Sequence, residues 1–170
     1  LIMKYLFSFL LLALVLFSCS NDDEYTNEQT LKIIVDYSGD LDMFEGMIVL
    51  SADRGADITG SDNLVLTDGD QNVYSTGYIP IDNDTQEFYT EGTETFTAAF
   101  YVDVLDGLSE SEPASLSADV SFFIDNKLIS ITSFEVFNGS DDTHYFYYKL
   151  DAILGKAYVF NTDIAGWNEL

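Results

Sequence analysis

Paired aspartates recur along this chain: Asp40 with Asp42, Asp68 with Asp70, Asp82 with Asp84, and a looser set of Asp53, Asp57 and Asp62. Carboxylate oxygens are the ligands that calcium takes. The stretch TDGDQNVY begins like an EF-hand loop at Asp68, Asp70 and Asn72. It then departs from one, because Val73 stands where glycine is needed and Ile79 where a bidentate glutamate belongs. If successive strands simply reverse, the loops after the first and third strand runs share one end of the molecule. Asp40, Asp42, Asp68 and Asp70 would then converge into a calcium site. The competing reading is that these aspartates mark turns and keep the surface charged.

Tyrosines give a second constellation. Tyr74 and Tyr78 fall on one alternation face, as do Tyr145 and Tyr147, and Trp167, the sole tryptophan, lies near the C-terminus. Turned outward, these rings could stack on sugars as a glycan platform. Turned inward, they would be cross-strand pairs that stabilise a sheet. Catalytic chemistry is poorly supplied. His144 is the single histidine, no G-x-S-x-G elbow occurs, and one histidine with one cysteine cannot make a zinc site. Carboxylate pairs suited to glycoside hydrolysis are unavoidable among 30 acidic residues and mean nothing by themselves. The expectation is a protein that is not an enzyme and needs no cofactor, with calcium as the one metal worth testing.

The elements that must position these residues read as strands. Runs rich in β-branched and aromatic residues recur, broken every 8–12 residues or so by Gly, Asp, Asn and Ser, as in an all-β sandwich or barrel. Phe96, Ala98, Phe100, Val102 and Val104 alternate onto one face, with Thr97, Tyr101 and Asp103 on the other. Val120, Phe122 and Ile124 form a similar set, as do Phe146, Tyr148 and Leu150, and Leu31, Ile33 and Val35. Asp125-Asn126 suits a tight hairpin, and residues 138–142 make a second turn. The polar segment 106–117 is long enough to cross between sheets, as Greek keys require. No internal repeat or second domain is visible. The pattern predicts a single immunoglobulin-like β-sandwich of about seven to nine mostly antiparallel strands, with a lipocalin-type barrel as the alternative.

Composition bounds the partners. The net charge is −24, so no basic footprint for nucleic acid exists. Apolar residues make up 47% of the chain, and Phe and Tyr are abundant, so this acidic chain folds instead of staying disordered.

The N-terminus sets the expected address. Met3 reads as the start and Lys4 as a minimal basic region, followed by an apolar run from Tyr5 to Phe17. That run is too short to span a bilayer and has the length of a secretory signal. Its end, Leu16-Phe17-Ser18-Cys19, resembles the lipobox of Bacteroidota lipoproteins, and Ser20, Asn21, Asp22, Asp23 and Glu24 are similar to the acidic export signal of surface-exposed members. The resemblance covers residues 3–24. It implies cleavage before Cys19, acylation of that sulfur and display on the outer membrane. Two or more acyl chains hold a protein firmly, since each buried methylene adds about 0.8 kcal/mol. The chain is accordingly read as a signal peptide over 1–18, a lipidated cysteine and acidic tether over 19–30, and a sandwich over 31–170. The leading functional expectation is a lipid-anchored surface protein presenting a sandwich for binding or structural roles, with a glycan or protein as partner. A carbohydrate-binding accessory of a glycan-uptake system and a fimbrial subunit are the alternatives.

Overall fold

A computed structural model describes residues 29–53, 56–61, 63–68, 73–82, 85–105, 113–138 and 143–170. Thirteen strands are present among them: β1 (Thr30–Gly39), β2 (Phe44–Ala52), β3 (Ile58–Gly60), β4 (Val65–Asp68), β5 (Val73–Ser75), β6 (Ile79–Pro80), β7 (Thr85–Glu91), β8 (Thr95–Val104), β9 (Ser115–Ile124), β10 (Lys127–Phe137), β11 (His144–Asp151), β12 (Lys156–Asn161) and β13 (Gly166–Glu169). They form two antiparallel sheets. One has the order β10-β9-β1-β7-β3. The other runs β13-β12-β11-β8-β2-β5-β4, with β6 also paired to β2. The architecture is the expected sandwich, and the two separate sheets exclude the closed barrel.

The strand count exceeds seven to nine for local reasons. The alternating stretch that carries Tyr74 and Tyr78 is divided between β5 and β6. Thr76 Oγ1 accepts the Ile48 N–H at 3.0 Å, which lifts the chain off the ladder. Gly77 then turns it at φ +68°, a conformation that L side chains resist. Beyond that break the chain rejoins β2 as β6. Strands β3 and β13 are short and carry too little apolar pattern to be visible in the sequence.

Alternation places the core as expected. Leu31, Ile33 and Val35 are buried in one sheet, opposed by Phe96, Ala98, Phe100 and Val102 in the other. Tyr148 lies between the layers, edge-on to Phe100 at 5.7 Å and tilted against Phe122 at 5.6 Å. Phe134 of β10 stacks on Phe146 of β11 at 4.1 Å, closing the flank where the two sheets approach. Asp125 and Asn126 adopt φ 51° and 62°, so the predicted two-residue hairpin joins β9 to β10 with both residues left-handed. The connection from β8 to β9 crosses between sheets, as its length suggested.

The chain enters the sandwich at Thr30, which is pinned to that hairpin. Its N–H donates to Asp125 Oδ1 at 3.0 Å, and its carbonyl accepts the Asp125 N–H at 2.9 Å. Residues 1–28, including Cys19 and the acidic run Ser20–Glu24, lie outside the described residues, as do residues 139–142 of the second turn.

Two buried phenols make stability depend on alkaline pH. Burial raises Tyr148 to about 12 and raises Tyr37 further. In the unfolded chain both titrate near the ordinary value of about 10. The folded state therefore holds these protons more tightly than the unfolded one. That stabilisation is complete below about pH 10 and is lost as pH rises through about 12. For Tyr148 alone it is worth roughly 3 kcal/mol. Spectrophotometric titration should show the ionisation of Tyr37 and Tyr148 delayed until the protein unfolds. A single unperturbed titration with the fold intact would contradict the burial.

Candidate functional site

Strand pairing on the eight-stranded sheet lays its outer face out in rows. Lys149 stands opposite Tyr158 on one side and Thr97 on the other. Thr97 stands opposite Ser51, and Ser51 opposite Val73. The next row runs from Trp167 opposite Phe160, through Tyr147 opposite Ala99, to Val49 opposite Ser75. A third sets Tyr145 opposite Tyr101, and Tyr101 opposite Met47. The neighbours of these residues along each strand point into the core. Aromatic rings therefore collect over β11–β13, and small side chains over β8, β2 and β5.

This gradient in side-chain size shapes a groove of about 560 Å³, within the range of ligand sites. Ser51, Thr97, Ala99 and Val49 form its floor, and Tyr101, Tyr147, Phe160 and Trp167 its aromatic wall. The wall is continuous. Tyr147 meets Tyr101 edge-on at 6.1 Å and Phe160 at 6.4 Å, and Phe160 meets Trp167 at 5.4 Å. Tyr145 extends it, 5.9 Å from Tyr147. Edge-to-face contacts are the favoured geometry for aromatic quadrupoles, so the rings brace one another while Trp167 stays 41% and Tyr145 53% exposed.

The groove's polar atoms are hydroxyls. Ser51 Oγ and Thr97 Oγ1 lie 2.6 Å apart, and the Tyr101 and Tyr147 hydroxyls 3.2 Å apart. The bond to Tyr101, with partial burial, raises the Tyr147 phenol above its ordinary pKa, so that hydroxyl stays neutral at physiological pH. Beside the wall and opposite Thr97, Lys149 Nζ sits 4.7 Å from the Tyr158 ring and 5.5 Å from the Trp167 ring. Cation–π contacts at exposed sites contribute about 0.5–1 kcal/mol, enough to favour one orientation of an edge tryptophan.

The structure brings together Tyr145, Tyr147 and Trp167 of the predicted platform and separates the other two. Tyr74 pairs with Leu50 on the core side of the sheet, and its hydroxyl donates to Asp57 Oδ1 at 3.2 Å. Its pKa is raised by burial and by that carboxylate. Tyr78 follows the break at Gly77, which ends the alternation it was read from. It lies beside Asp103, and burial and that carboxylate raise its pKa. Tyr101 and Phe160 complete the wall. The alternation had put Tyr101 on the outer face of its strand, but nothing in the sequence shows that β8 and β11 are neighbours.

The aspartates of the proposed calcium site do not gather as the simple reversal of strands required. Asp40 and Asp42 precede β2, whereas Asp68 stands opposite Val73, which pairs with Ser51 at the far end of β2. The reason is β3: this added crossing makes β4 run parallel to β2, so β1 and β4 finish at opposite ends of the sandwich. Asp70 lies outside the described residues. The Asp40 carboxylate accepts the Ser115 N–H at 2.9 Å, closing the end of the β1–β9 ladder. Among the described residues, no three His, Cys, Asp or Glu side chains cluster to hold a metal ion. His144 opens β11, opposite Val102.

Solved structures resemble this arrangement. A DUF4425 family protein from Bacteroides ovatus is 23% identical, with a TM-score of 0.55 over 72% of this chain and 95% of that one. A DUF4425 domain of unknown function from Bacteroides vulgatus is 23% identical, with a TM-score of 0.51 over 72% and 94%. At this identity the likeness is one of fold. The calcium-bound form of a protein from Parabacteroides distasonis, solved by NMR, is 19% identical, with a TM-score of 0.48 over 74% of this chain and 98% of that one. The two DUF4425 neighbours come from Bacteroides species, consistent with a Bacteroidota protein. No family model matches the chain, and no curated protein sequence does.

Proposed function

We propose that this protein is a non-enzymatic binding module, held at the outer membrane by acyl chains on Cys19, and that its ligand seat is the aromatic groove. The observation that carries the reading is the braced wall of Tyr101, Tyr147, Phe160 and Trp167 over a floor of small residues. A sheet face that needed only solubility would carry charge there, as the outer face of the other sheet does at the exposed Asp36, Glu87, Glu91, Asp119 and Glu135.

The tether suits this role. Nine residues separate Cys19 from Gln29, a reach of at most about 35 Å over ten Cα steps. The groove lies along the flank of the sandwich and not at the end where the chain enters, so an anchored molecule would leave it open. The lipobox-like LFSC and the acidic run after it support acylation and outward display.

Two measurements test the two parts. Cys19→Ala should move the protein from the membrane fraction to the soluble fraction and abolish fatty-acid labelling; continued membrane retention would overturn the anchor. Because Trp167 is the only tryptophan, its emission reports on the groove alone. Binding of the physiological ligand should change that emission, and a ligand that binds without touching it would move the seat elsewhere.

A further inference from the structure

We infer that the groove takes an uncharged glycan, an inference that rests on the groove being the ligand seat. Charged residues make up 21% of the chain, yet among the described residues none lines the groove. The two lysines nearest the wall are engaged: Lys149 lies over Tyr158 and Trp167, and Lys156 holds Glu169 at 2.6 Å. Beyond Tyr101 the outer face continues to Glu45 opposite Asp103, a carboxylate lip. An anionic ligand would approach a strongly acidic protein and pass that lip, and the lysine that borders the groove beside Thr97, Lys149, is already held over the Tyr158 and Trp167 rings.

The lining also disfavours a purely apolar ligand. The Ser51–Thr97 and Tyr101–Tyr147 hydroxyl pairs would be covered by groups that return no hydrogen bond, and desolvating polar groups without replacement is costly. A sugar ring meets both demands. Its C–H faces carry partial positive charge, which the negative face of an aromatic ring attracts, and its hydroxyls match neutral donors and acceptors in the floor and wall. The groove is open and crosses from β13 to β5, a span of about 24 Å at ordinary strand spacing. That length accommodates successive rings of a chain better than a single small molecule.

The test uses the full chain in a sugar-free detergent. Probes are neutral polysaccharides (amylopectin, galactomannan, xyloglucan, yeast mannan), anionic ones (polygalacturonate, chondroitin sulfate) and palmitate, followed by Trp167 emission and affinity electrophoresis. At least one neutral polysaccharide should retard the protein and shift the emission. In electrophoresis Trp167→Ala should weaken retention tenfold or more, and Ala99→Trp, which fills the floor from an outer-face position, should abolish it. Melting temperatures of both variants confirm that they fold. Groove-dependent binding of polygalacturonate or chondroitin sulfate as tight as that of any neutral probe overturns the uncharged assignment but leaves the groove as ligand seat. A response to palmitate with none to glycans overturns the carbohydrate class. Silence of Trp167 to every probe overturns both this inference and the seat itself.

Discussion

Phe100→Ala is expected to lower the free energy of unfolding by about 3–5 kcal/mol. Phe100 is 1% exposed and sits where the layers meet, 5.7 Å from Tyr148 and 6.1 Å from Phe134 of the opposite sheet. Removing the ring loses its transfer energy and leaves a cavity that the neighbouring aromatics cannot fill, since they are already braced against Phe122 and Phe146. Domains of this size are commonly stable by only about 5–15 kcal/mol, so a large part of the total is at stake. Urea denaturation of the two proteins measures the difference. Tyr145→Ala, on the exposed outer face, serves as the control and should change stability by no more than about 0.5 kcal/mol. A Phe100→Ala cost below 1 kcal/mol would mean that this aromatic cluster is not the centre of the core.

Asp53→Ala should cost about 2–4 kcal/mol, an effect unusual for an aspartate near a strand end. Its Oδ1 accepts the Glu94 N–H at 2.9 Å, the Thr95 N–H at 3.0 Å and the hydroxyl of the fully buried Thr93. One carboxylate thereby ties the end of β2 to the turn that carries the chain from β7 into β8 and so from one sheet to the other. Hydrogen bonds to a charged group contribute about 1.5–3 kcal/mol, and donors left in a part-buried turn lose more than the bond. Asp53→Asn keeps one acceptor oxygen and should recover about half of the loss. The same urea series decides the matter, and an alanine variant within 0.5 kcal/mol of the parent would show the contacts to be incidental.

Asp53 also illustrates how much of this molecule was legible in its sequence. Period-two alternation identified the core of β1, β8, β9 and β11 residue by residue, because a strand buried on one face must repeat every second side chain. The Asp125-Asn126 hairpin was legible because its backbone conformation narrows the choice of residue. What alternation cannot give is which strands are neighbours. Tyr101 and Tyr147 are 46 residues apart, and only the pairing of β8 with β11 makes their hydroxyls meet. The same gap hid that Asp40 and Asp68 stand at opposite ends of β2. β3 is three residues long, has one buried side chain and was unreadable, yet its presence decides which end of the sandwich each later loop occupies. Tyr74 and Tyr78 were grouped by an alternation that Gly77 interrupts, a warning that one glycine can end a face. Asp53 looked like one more surface acid, because the donors it serves are separated from it by about 40 residues.

The groove's dependence on its edge follows from the same topology. Trp167 belongs to the four-residue strand β13, which among the described residues pairs only with β12. The wall is therefore built on one of the least supported elements of the sheet, and local opening there costs less than opening the core. Binding that stacks on Trp167 should protect the amides of β12 and β13 from hydrogen exchange more than those of β1 or β9.

The claim that the outer face of the eight-stranded sheet is the ligand seat is tested most directly by NMR titration of the full chain with the neutral polysaccharide that retards it. A single tryptophan gives a single indole N–H resonance. That resonance should shift progressively and saturate with the ligand, accompanied by the amides of Tyr147, Ala99 and Ser51. Shifts confined to Tyr89, Phe123 and their neighbours on the opposite sheet, with the indole resonance unmoved, would contradict the account.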